Sequence, residues 1–75
     1  MINVELGLID NLQIIAEHTG QSGEDIRQLA AKFISMGLDS SEVLMRTKAA
    51  ALLMKVCHLN WSEAFTSTCE ILALN

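Results

Sequence analysis

A chain of 75 residues with a net charge of −4 has room for one domain, near the size where a single core barely suffices. Hydrophobic residues make up 51% of it and aromatics 4%, and proline is absent. That composition excludes a sandwich rich in Val, Thr and Tyr and points to helices built from Leu, Ile, Met and Ala.

The first predicted helix covers residues 3–19 and ends at Gly20, placed where a left-handed residue closes a helix. Val4, Leu8, Leu12, Ile15 and Ala16 recur at helical spacing on one face, whereas Leu6 and Ile14 fall outside that stripe as spare apolar surface. Ser22-Gly23-Glu24-Asp25 supplies a capping hydroxyl and two acids for the positive end of a second helix, 23–36. Its stripe is Ile26, Leu29, Ala30, Phe33 and Met36, opposed by Glu24, Gln28 and Ser35. Gly37 ends it.

Asp39-Ser40-Ser41-Glu42 has the form of a capping box, with Leu38 and Val43 set to close a hydrophobic staple. It opens the third helix, 40–59, whose apolar residues wrap much further round than those of the others. Val43, Met45, Ala49, Ala50, Leu52, Leu53, Met54, Val56, Cys57 and Leu59 occupy an arc of roughly 220°. The remaining strip holds Thr47, Lys48, Lys55 and His58, with Leu44 and Ala51 among them. Such a helix is expected at the centre of the fold. The fourth helix, 61–74, is capped by Asn60-Trp61-Ser62-Glu63. It places Trp61, Ala64, Phe65, Thr68, Cys69, Ile71 and Leu72 on one face, opposed by Glu63, Thr66 and Glu70. The joints are too short for a linker, so residues 1–75 are expected to form a single, all-α, compact four-helix domain with the third helix central.

Chemistry is hard to find in this pattern. Cys57 and Cys69 fall on apolar faces and are expected to be buried free thiols, not a disulfide scaffold. Together with His18 and His58 they are too few and too dispersed for a zinc site, so no metal or cofactor is expected. The hydroxyls of Ser62, Thr66, Ser67 and Thr68 lack a nucleophile elbow and a nearby base, and the chain is not expected to be an enzyme. Glu5 and Asp10 stand where a signal peptide would be basic. Arg46, Lys48 and Lys55 interrupt the longest apolar run, which excludes a membrane span. A cytoplasmic location follows as the expectation.

Surplus apolar flank without catalytic groups predicts a protein-protein interaction module. We expect a small acidic accessory, adaptor or inhibitor that binds a larger partner and self-associates, most simply as a homodimer. The candidate interface comprises Leu6, Ile14, Leu44, Arg46, Lys48, Lys55 and Trp61. Arg46 projects near the middle of the third helix's arc. It either snorkels or pairs with Glu17, Glu42 or a partner's carboxylate, and its loss is expected to alter association more than the loss of Lys48. Lys48 and Lys55 share a flank, either as a solvated strip or as a contact for an acidic partner. Trp61 either plugs the core or anchors a partner. The brevity of the chain suits an accessory protein of a phage or mobile element.

Two further readings come from other classes. The corner Gly37-Leu38-Asp39 between two helices fits a helix-turn-helix regulator with Arg46 and Lys48 as reading residues, although the acidic balance disfavours nucleic acid. Met36-Gly37-Leu38, followed by Asn60-Trp61-Ser62-Glu63-Ala64, resembles the loop and the start of the final helix in ubiquitin-associated domains, with Leu38 in place of the family's aromatic. The resemblance implies a ubiquitin-binding loop at Met36, Gly37 and Leu38.

Overall fold

The computed structural model describes residues 7–72. They form four helices in chain order, α1 (Gly7–Thr19), α2 (Gly23–Ser35), α3 (Ser40–Cys57) and α4 (Trp61–Leu72). The parts of the first and last predicted helices at residues 3–6 and 73–74, and with them Leu6, lie outside the described residues. α3 packs against each of the other three helices, which makes it central as its composition requires.

Local signals fix the helix ends. Ser22 Oγ accepts from the Asp25 N–H at 3.1 Å, and Asp39 Oδ1 accepts from the Glu42 N–H at 2.8 Å. At α4 the box is reciprocal: the Glu63 N–H donates to Asn60 Oδ1 at 2.8 Å, and the Asn60 N–H donates to Glu63 Oε1 at 3.0 Å. The box at Asp39 closes on one side only, because the Glu42 carboxylate turns to Arg46 instead. After α1, the Gln21 N–H reaches back to the Ala16 carbonyl at 3.1 Å across Gly20 at φ 71°, the bond pattern of a Schellman close. α3 stops two residues earlier than expected, at Cys57, because His58 itself adopts the left-handed conformation at φ 58°.

The core is one cluster. Leu12, Ile15 and Ala16 of α1 meet Ile26, Leu29, Ala30 and Phe33 of α2. Val43, Leu44, Ala50, Ala51 and Met54 of α3 and Ala64 of α4 complete it. The Phe33 and Phe65 rings lie 4.9 Å apart at 49°, a tilted pairing that suits their quadrupoles. The Lys32 ammonium sits 5.6 Å from the Phe65 centroid on the outer side.

Of the stripe predicted for α1, Leu12, Ile15 and Ala16 are buried and Leu8 is half-buried, while Val4 lies outside the described residues. The stripe of α2 is buried apart from Met36, which is exposed where α2 ends. α3 differs. Its buried face is Val43, Leu44, Thr47, Ala50, Ala51 and Met54, turned by roughly 130° from the expected arc. Leu44, Thr47 and Ala51, expected on the solvated strip, are in the core. Met45, Leu52, Val56 and Cys57, expected within the buried arc, are exposed. The reason is steric: Ala50, Ala51 and Thr47 are small, and small residues at a contact let neighbouring helices approach closely. Cys57, expected to be buried, is exposed in the last turn of α3, and Cys69 is half-buried.

Candidate functional site: an apolar face on α3 and α4

The outward side of α3 is greasy. Met45 is 52% exposed, Leu52 43% and Val56 71%, with half-buried Ala49 between them. The spacing of Met45, Ala49, Leu52 and Val56 alternates four, three and four residues. These side chains therefore line up in one seam along the helix, as in the contact stripe of a coiled coil. No element of the described chain covers them.

Beside the seam runs a groove. The corner at residues 58–60 folds α4 back along α3, so that Thr68, Ile71 and Leu72 lie opposite Ala49, Leu52 and Leu53. Together they line a cleft of about 240 Å³ with apolar walls. Ile71, on its rim, is 60% exposed. The Thr68 hydroxyl is buried without a hydrogen-bond partner, so this threonine serves the cleft as a valine would.

Charge frames the face on both sides. Steps of ~100° per residue put Lys48 and Lys55 together on the flank of α3 away from α4. The same construction puts Glu63 and Glu70 on the far flank of α4. All four side chains are exposed. Arg46 is not part of this frame: its Nε donates to Glu42 Oε2 at 3.1 Å within α3. Of the alternatives the sequence left open, snorkelling or pairing with Glu17, Glu42 or a partner's carboxylate, the structure shows the pair with Glu42, which holds the guanidinium on the helix's own surface.

The candidate interface residues thus separate. Lys48 and Lys55 border the seam. Leu44 is 1% exposed and sits in the core, reachable by no partner. Ile14 is half-buried on α1, and Trp61 is half-buried against the core at the start of α4. Neither adjoins the groove. Sequence reasoning missed Ile71 and the outward aim of Met45, Leu52 and Val56. The alternation of four and three at 45, 49, 52 and 56, bordered on one side by Lys48 and Lys55, was the available signal.

Elsewhere the surface is ordinary. Ile9, Ile34 and Met36 are exposed, but scattered apolar residues are normal on a protein surface. Among the described residues no three His, Cys, Asp or Glu side chains gather where they could hold a metal ion. No helix there is long and apolar enough to cross a membrane. Compared with protein-family models, curated proteins and solved structures, the chain shows no match.

Proposed function

We propose that this chain is a small, non-catalytic interaction module whose work is to seat a protein surface on the α3–α4 face. One observation carries the reading: the exposed seam Met45-Ala49-Leu52-Val56 adjoins an apolar groove in a chain whose total accessible surface is that of a monomer of its size. Its accessible surface is 4677 Å², against ~4500 Å² expected for a folded monomer of this mass. Contiguous apolar surface with a charged rim is the usual make-up of a protein contact. A helix laid into the groove would bury the seam by ordinary knobs-into-holes packing.

The helix-turn-helix reading gains little support from the same geometry. Arg46 is held by Glu42, which leaves Lys48 and Lys55 as the basic side chains projecting from α3. Two such contacts in an acidic chain make a weak phosphate site.

Photo-crosslinking in the native cell tests the proposal. A photoreactive residue at Val56 is expected to give a discrete protein adduct, and the same residue at Gln28, exposed on α2, none. The Val56 adduct should disappear when Leu52→Glu is added. No adduct at Val56, or equal adducts at both positions, would contradict the reading.

A further inference from the structure

The occupant of the α3–α4 face is written in the charges that frame it. Lys48 and Lys55 lie seven residues apart on one rim, and Glu63 and Glu70 lie seven apart on the other. Among the described residues neither lysine has an ion-pair partner, and Glu70 has none either; the one salt bridge there joins Arg46 to Glu42. Because α4 folds back along α3, the rims run side by side, with Lys48 nearer the level of Glu70 and Lys55 nearer that of Glu63. A single copy thus carries both halves of a complementary pair, on opposite edges of one apolar face.

We propose that this face is the interface of a homodimer, in which two copies pack face to face about a two-fold axis running along the groove. Such an axis lays the lysine rim of each copy on the glutamate rim of the other, sets groove against groove and brings the seam of each onto the α4 side of its partner's face. The alternative two-fold, across the groove, sets Lys48 and Lys55 against the same lysines and is opposed by like charge. An isologous contact of this kind also closes on itself and leaves no free edge to propagate. A standard interface takes ~800 Å² from each partner, roughly one-sixth of this chain's 4677 Å². The outward sides of two helices out of four are suited to supply that. The proposal rests on the reading of the face as a docking surface and adds the identity of its occupant.

Sedimentation equilibrium of the full chain and two charge reversals tests it. Lys48→Glu and Glu70→Lys both alter exposed side chains that make no contact needed by the fold. The wild-type chain is expected to be in monomer–dimer equilibrium. Each reversal should weaken the dimer about tenfold, since the symmetric contact is broken twice. An equimolar mixture of the two variants should recover tight association, because only the mixed dimer pairs opposite charges at the reversed contacts.

Wild-type dimers indifferent to both reversals, or variants whose mixture associates no better than either alone, would overturn the arrangement. A wild-type chain that stays monomeric into the millimolar range would overturn the homodimer altogether. In that case the Val56 cross-linker separates the two claims. An adduct with a different protein would sink the homodimer and leave the docking face standing, and an adduct with residues 1–6 or 73–75 of the same chain would sink both. Absence of any adduct would also sink both.

Discussion

Two buried threonines show how burial and chemistry part company in this chain. Thr47 and Thr68 lie at 0% and 1% exposure, and neither hydroxyl has a hydrogen-bond partner. Burying an unpaired hydroxyl costs about 1–3 kcal/mol, and valine has nearly the same shape. Thr47→Val is therefore expected to stabilise the fold by about 1 kcal/mol, read as a rise in the urea midpoint at unchanged slope. A clear loss of stability would show that the hydroxyl is bonded in solution. Residue-scale legibility is poor at this position. Spacing groups Thr47 with Lys48 and Lys55 on the solvated strip, and a threonine carries no mark that tells core from surface.

His58 makes the complementary point. It holds φ 58° as the cap of α3, a conformation that costs an L side chain roughly 1 kcal/mol and glycine almost nothing. Its side chain is exposed. His58→Gly should raise the thermal midpoint by about 4–8 °C, as a gain of 1 kcal/mol does in a domain of this size. A lower midpoint would mean that the imidazole holds the corner. At Gly37, φ 80°, an added methyl group would meet open space, so backbone conformation alone sets the cost of Gly37→Ala.

At the scale of elements, the sequence spoke most clearly through its caps. Ser22, Asp39 and Asn60 all cap the helices they were expected to open, because a short polar side chain before an apolar run has one good use. The strongest of these is Asn60, whose box with Glu63 is closed from both sides. Asn60→Ala is expected to cost about 1 kcal/mol, with loss of helix confined to the first turn of α4. A loss spread over all four helices, followed by amide exchange, would contradict a local role.

Orientation was legible where apolar residues form a narrow stripe, as in Ile26, Leu29, Ala30 and Phe33. It was illegible in α3. There apolar side chains surround the helix, and periodicity leaves the choice of inner face to packing. The small Ala50 and Ala51 settled that choice against the bulkier Met45, Leu52 and Val56, because close approach of α1 and α2 needed the space. The consequence for function is direct. Met45, Leu52 and Val56 of the central helix were left outside.

For the whole molecule, labour is divided within one helix. Val43, Leu44, Thr47, Ala50, Ala51 and Met54 hold the four helices together, while Met45, Ala49, Leu52 and Val56 face outward. The fold class and the four-element order followed from composition and caps. The position of the exposed apolar seam did not follow, since it depends on how α3 is rotated in its socket. If the division is right, the outer seam contributes little to folding, and polar substitutions there should leave the isolated domain intact.

Urea unfolding of Met45→Glu/Val56→Lys, at concentrations low enough to keep the chain monomeric, tests this most directly. Glu and Lys are both good helix formers, so helix propensity does not confound the comparison. We expect an unfolding free energy within about 0.5 kcal/mol of the wild type, the range of ordinary surface substitutions. A loss of ~2 kcal/mol or more, the scale of damage to a buried apolar side chain, would place the seam in the core and contradict the account.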